Sequence, residues 1–239
     1  MIQSFFFIIQ RLRLLITAAL IILIGGCTVT QSTQVKLPHP FLATIDHSIP
    51  NDAEQMIIVG QNAKDTLIHG VMFALEKKRG KWVKVFNDNI KVSLGRAGIV
   101  ASAQKREGDG ATPAGFYQLG QLFSYESTVD TRLPFIQVNS DDKWIDDSTS
   151  SDYNTYVRGA TLAKSYENLL LASIDYKYCM VIEYNTHPVA KGKGSAIFFH
   201  ITTKEYPATA GCVAVQESDM LRILSWLDPN KKKYIGIIP

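Results

Sequence analysis

Short strand-like runs dominate the alternation of apolar and polar side chains along the chain. Residues 56–59 form an unbroken apolar run that stops at Gly60, the pattern of a strand buried on both faces. Residues 71–75 and 82–86 flank a basic turn, Lys78-Arg79-Gly80, and predict a hairpin. A strand is expected over 115–119, after a turn at Thr112-Pro113-Ala114. Residues 178–184 and 196–202 are rich in β-branched and aromatic side chains, as buried strands are, and 234–238 has the look of a closing strand. Helical spacing is rarer. A short helix is expected over 165–171. A better one covers 217–227, where Met220, Leu221, Leu224 and Leu227 share a face, Glu217 and Asp219 sit in the first turn and Asp228-Pro229 ends the run. The fold class predicted is mainly β, with one or two short accessory helices and no internal repeat.

Composition changes this picture little. The chain has 239 residues, 46% hydrophobic and 20% charged, with a formal net charge of +3. Two of its positive charges, Arg11 and Arg13, lie near the N-terminus, so the rest is close to neutral and offers no basic face for nucleic acid. Residues 51–239 suit one domain able to bury a core of its own.

The first 27 residues read differently. Arg11 and Arg13 precede the uncharged stretch 14–24, which runs into Gly25-Gly26-Cys27. A basic start, a short apolar centre and small residues at the end describe a secretory signal, and the stretch is shorter than the ~20 residues of a membrane-spanning helix. Ile24-Gly25-Gly26-Cys27 resembles the bacterial lipobox, which implies lipidation at Cys27. The alternative is an uncleaved anchor that also uses 5–9. Residues 28–50, rich in Ser, Thr, Gln and Pro, then read as a tether. Both readings put the domain outside the cytoplasm. Thr28 after the cysteine, by resemblance to Gram-negative sorting rules, points to the outer membrane.

Candidate chemistry lies in Gly194-Ser195-Ala196-Ile197-Phe198-Phe199-His200 and Thr209-Ala210-Gly211-Cys212. His200 ends an apolar strand. Cys212 follows a glycine and precedes another apolar run. A strand, a loop and a return strand bring two such side chains face to face. A free thiol is mostly protonated at neutral pH, and a neighbouring imidazole takes its proton and later returns it to a leaving amine. Gly211 permits close backbone approach, with amides near Cys212 aimed at a developing oxyanion. The bland readings are a packed cysteine and a satisfied core histidine. Core packing is expected for Cys179, and a turn role for His187. No short His/Cys ligand pair supports zinc, so neither metal nor cofactor is expected. The polar stretches 105–110 and 141–154 are candidate cleft walls. Within 141–154, Asp146 and Asp147 are adjacent, so on a strand they face opposite ways and cannot address one bond together.

These residues resemble the catalytic signature of the L,D-transpeptidase (YkuD-like) family, in which a histidine precedes a Ser/Thr-x-Gly-Cys element, here Thr209-Ala210-Gly211-Cys212. Residues 105–116 are similar to the family's Thr-Pro-x-Gly-x-Phe element. Trp144-Ile145-Asp146-Asp147 and Tyr153-Asn154 resemble a divergent envelope branch. The resemblance spans about 56–239. It implies a β-sandwich or barrel domain in the bacterial envelope. Such enzymes attack the amide after the L-centre of diaminopimelate in a peptidoglycan stem peptide and expel D-alanine. The thioester left on the cysteine is resolved by the amine of a second stem. By that resemblance Cys212 is the nucleophile and His200 the base. The Ile201 carbonyl orients the ring, and Thr209 and Gly211 shape the turn and oxyanion hole. Asp109, Thr112, Tyr153, Asn154 and Ser195 are the cleft candidates, and a monomer is expected. Relatives usually carry a second histidine where this chain has Ala210, and often an arginine where it has Ala214. Two other readings stay open: water as acceptor, which makes the protein an L,D-carboxypeptidase or murein peptide hydrolase, and an inactive murein-binding lipoprotein.

Overall fold

The computed structural model describes residues 48–61 and 68–239; the signal, the lipidation site at Cys27 and most of the expected tether lie outside them. The strands in chain order are β1 (Gln55–Gln61), β2 (His69–Lys78), β3 (Lys81–Lys84), β4 (Ile90–Ser93), β5 (Ile99–Ala101), β6 (Thr112–Ser124), β7 (Phe135–Gln137), β8 (Asp142–Ile145), β9 (Tyr156–Arg158), β10 (Tyr166–Asn168), β11 (Tyr178–Ile182), β12 (Phe198–Thr202), β13 (Val213–Gln216) and β14 (Lys233–Ile238). Among the described residues there is one α-helix, α1 (Glu217–Trp226).

The main sheet runs β1-β14-β6-β11-β12-β13-β4-β2, and β2 pairs back to β1, so these strands close on themselves. Closure removes the free edges that an open sheet would expose. The β2–β3 hairpin turns at Arg79 and Gly80, both left-handed, where the basic turn was expected. Strand β6 begins at Thr112, so the segment read as a turn is its first stretch; Pro113 is accommodated at that strand start, beside the short parallel strand β5.

Strand β12 is buried along its whole length, and its alternation explains why. Phe199 and Ile201 point into the closed sheet, with Ile57, Met180, Val213, Val215 and Ile235 and with Met220, Ile223 and Leu224 of α1. Phe198 belongs to a second cluster on the outer face, with Phe123, Trp144, Leu169, Tyr176, Cys179 and Cys212. That outer cluster lies under a separate three-stranded sheet, β10-β8-β9. Cys179 is fully buried there and unpaired, as expected of a packing residue.

Residues 165–171 are not helical. Tyr166–Asn168 forms β10, antiparallel to β8 with Glu167 opposite Trp144. The two-residue period turns Glu167 inward while Tyr166 and Asn168 stay exposed. Tertiary pairing with β8 overrides a weak local helical spacing.

Asp142 holds this small sheet together. Its carboxylate is fully buried and accepts bonds from Tyr156 Oη (2.5 Å), Arg158 Nε (2.6 Å) and Nη2 (2.9 Å), and Asn139 N (2.7 Å). Arg158 is half exposed, so the ion pair itself contributes little; the stranded Tyr156 hydroxyl and Asn139 amide dominate the cost of losing the carboxylate. Asp142→Ala is expected to lower stability by about 2–4 kcal/mol. A urea titration reads this as a lower midpoint with an unchanged slope.

Candidate active site

Parallel pairing of β12 and β13 sets Phe199 beside Val213 and His200 beside Ala214. One step back, Cys212 comes alongside Phe198, whose N–H donates to Cys212 Sγ at 3.3 Å. His200 projects from the same face of β12 as Phe198. Cys212 and His200 are therefore diagonal neighbours on adjoining strands, and both line one cavity of about 380 Å³. They are only 6% and 7% exposed, and that small exposure faces the cavity.

Each reactive group has its own backbone contact. The thiol donates to Ala196 O at 3.4 Å, and no direct hydrogen bond joins it to His200. The imidazole is held by Ile201 O, 2.8 Å from Nδ1. A carbonyl only accepts, so Nδ1 carries the proton and Nε2 of the neutral ring keeps its lone pair. Tyr176 stands edge-on to the same ring, with centroids 5.2 Å apart.

Both groups rest uncharged. Burial pushes the Cys212 thiol up to about 12, and the nearby negative charge of Glu167 adds to the rise, against the Phe198 N–H and Lys105. Burial also holds the His200 imidazole below 6.5, although its contacts with the Ile201 and Asp175 backbone and the Asp175 charge act the other way.

The turn before the nucleophile is held by Thr209. Its hydroxyl donates to Cys212 O at 2.7 Å and accepts the Gly211 N–H at 3.1 Å. Gly211 has φ +143°, and a Cβ there would come within 2.8 Å of Ala111 O, so the position admits glycine alone without displacement. The Gly211 amide is thus already engaged.

Of the cleft candidates, Ser195 lines the cavity. The other four act behind it. Thr112 is buried, its hydroxyl accepting the Gly95 N–H at 2.8 Å. Asp109 takes the buried Lys105 ammonium at 2.6 Å and the Ala111 and Arg106 amides, fixing the 105–110 loop. The Tyr153 hydroxyl donates to Glu107, which also accepts from Ser195 Oγ at 2.8 Å.

Asn154 uses its entire side-chain amide. Oδ1 accepts from Trp144 Nε1 (2.9 Å) and Ala196 N (3.0 Å), while Nδ2 donates to Tyr184 O (3.1 Å) and Asn185 O (2.8 Å). Ala196 has φ +53°, a left-handed backbone that a non-glycine residue keeps only when its surroundings impose it. The Asn154 bond imposes it, and the same Ala196 carbonyl receives the thiol.

Lys105, Glu107 and Asp146, from the two stretches expected to wall the cleft, line the cavity; Arg96, Glu167, Asp175 and Tyr176 line it too and were not reached by pattern reading. Inward-facing Glu167 was hidden by the helical assignment, and Tyr176 by a turn-rich stretch with no periodicity. Asp147 faces away from the cavity and structures its own loop, accepting from Thr149 and from the Lys164 amide.

The family model described as the L,D-transpeptidase catalytic domain (YkuD) matches residues 51–235. No curated protein matches the chain. The match spans most of the chain, which therefore belongs to this family.

Asn154→Ala is expected to leave the Trp144 and Ala196 N–H groups buried without acceptors, at about 1–3 kcal/mol each. Chemical denaturation measures the loss, and a faster iodoacetamide reaction at Cys212 reports the release of Ala196 O from the thiol.

Proposed function

We propose that this member of the L,D-transpeptidase family acylates Cys212 with a diaminopimelate-containing stem peptide and passes the acyl group to the amine of a second stem. The observation that carries the proposal is the fixed tautomer of His200 beside a thiol in the same cavity. With Nδ1–H committed to Ile201 O, Nε2 is the ring's one available base. Rotation of the thiol off Ala196 O brings its proton to Nε2. Sulfur then attacks the carbonyl after the L-centre. The C–N bond breaks, and His200 hands the proton to the departing D-alanine. Because Thr209 engages Gly211 N, the Cys212 N–H is the backbone donor proposed for the oxyanion.

The envelope setting is also a proposal. It rests on the N-terminal pattern that ends at Cys27, with the domain carried on a lipid anchor at the periplasmic face, favouring the outer membrane. A diacylglyceryl mass increment on Cys27 in purified membranes supports the anchor; an unmodified residue refutes it.

Incubation of the full-length chain with a stem tetrapeptide and an acceptor stem tests the chemistry. The expected result is a thioester mass on Cys212 and diaminopimelate-linked dimers, both lost in Cys212→Ser. Shortened stems without dimers make the protein a hydrolase. Bound murein without either product makes it a binding module.

The resting protonation states set the pH dependence. His200 must be neutral to act, and its burial-lowered value keeps it neutral below 6.5. The thiol keeps its proton to about 12. The kcat/KM profile for acylation is therefore expected to show an acid limb below 6.5 and no alkaline limb from thiol ionisation up to pH 9. A thiolate–imidazolium resting pair predicts a bell instead. His200 also makes folding pH-sensitive. The unfolded ring gains a proton near 6.5 and the folded ring only at lower pH, so its share of stability is present above 6.5 and falls away as pH drops.

A further inference from the structure

Glu167 is a carboxylate that the acylation half of the reaction does not use. It lies on β10 opposite Trp144 and turns into the cavity that holds Cys212 and His200. Its Oε2 accepts from Tyr176 Oη at 2.6 Å, and Tyr176 is the ring standing edge-on to His200. Asp146 lines the cavity beside it, with Oδ1 buried and without a hydrogen-bond partner. A carboxylate so placed works against the nucleophile, because its charge raises the thiol. An anion that costs the first step has a use only if something cationic enters the same cavity later.

The second half of the proposed reaction supplies that cation. A primary amine reaches the thioester mainly as its ammonium, which has no lone pair, and His200 can take one proton but not two. We propose that Glu167 is a catalytic residue of the transfer step, binding the acceptor ammonium and removing its first proton; this rests on the Cys212 thioester reading above.

The step balances. One N–H proton passes to the Glu167 carboxylate, leaving a neutral amine. The amine nitrogen forms a C–N bond to the thioester carbonyl, and the C–S bond breaks. The second proton leaves nitrogen for His200 Nε2 and goes on to sulfur, restoring the thiol. Glu167 gives its proton to solvent. Thioester and ammonium become amide, thiol and one proton.

The surroundings suit a proton acceptor. Burial raises the Glu167 carboxyl; the Tyr176 hydroxyl offsets part of the rise, and the charges of Asp146 and Glu107 add to it. Cys212, His200, Asp175 and Tyr176 line the same cavity, as do the cations Arg96 and Lys105, the latter already paired with Asp109. A raised carboxyl is the stronger base of its kind.

The test compares two acceptors on the full-length chain, with the stem tetrapeptide as donor. One is an ordinary primary amine, ammonium at neutral pH. The other is methoxyamine, which is unprotonated there and needs no first deprotonation. In Glu167→Gln, thioester formation is expected to persist and to be no slower than in wild type, because the charge that raises the thiol is gone. Transfer to the ammonium is expected to fall about 10²-fold relative to hydrolysis, as for loss of a general base, and transfer to methoxyamine to remain. Equal loss with both acceptors, or no loss with either, overturns the role of Glu167 while leaving the thioester reading intact. No thioester in wild type overturns both. Should the variant fail to fold, the wild-type pH profiles decide. Transfer to the ammonium that levels off at neutral pH, while the amine is still protonated, supports the role; a rise that continues up to the amine's own pKa, as attack by the free amine alone gives, refutes it.

Discussion

The parallel pairing of β12 with β13 is the constraint on which the site depends. Parallel strands cannot be joined by a tight turn, and the chain between them, residues 203–212, loops out to form one wall of the cavity before returning with Cys212 beside Phe198. Register then does the positioning. A slip of one residue would turn Phe198 and His200 into the closed sheet and Phe199 and Ile201 out of it. Large apolar side chains on both faces of β12 hold the register, since both alternatives bury the wrong groups.

The second layer makes the outer face a site rather than a surface. Trp144 of the three-stranded sheet and Tyr176 cover Phe198, and the 105–110 loop helps wall the cavity that His200 and Cys212 line. The burial of the two groups has two consequences that point the same way. Burial holds the thiol protonated and the imidazole neutral, so the pair rests without charge separation. It also strengthens electrostatic interactions at the two groups during attack, because buried surroundings screen charge less than bulk water does. A resting site of low reactivity and a responsive transition state are two results of one desolvation.

Much of the barrel was legible in side-chain pattern. Runs such as 56–59, 178–184 and 196–202 are dense in branched and aromatic residues because their strands are buried on both faces, and such runs announce themselves. Helix α1 was equally plain from its apolar face and acidic first turn. The small covering sheet was not. Its strands have three or four residues, too few for a period to emerge, and β10 carries a glutamate inward where a half-buried strand ordinarily puts an apolar residue. The candidate site divides in the same way. The cysteine, the histidine and the glycine before the cysteine stand out locally. The roles of Thr112 and Asn154 depend on Gly95, Trp144, Tyr184 and Ala196, partners up to 42 positions away, and no local pattern encodes them.

The two departures from the familiar family pattern have a physical reading in this fold. Ala214 is fully buried, paired with His200 on one side and Ser93 on the other. A guanidinium there would be taken from water and would need a paired carboxylate to offset the cost. Positive charge enters the cavity instead from Arg96 and Lys105. Lys105 is already committed to Asp109, whereas Arg96 is exposed and bonds only the Gly108 carbonyl through one nitrogen. Under the function proposed above, Arg96 is the cation open to a substrate carboxylate and Glu167 the partner of a substrate ammonium. An alanine in place of histidine at 210 leaves the cavity roomier, since Ala210 lines it where an imidazole would take up space.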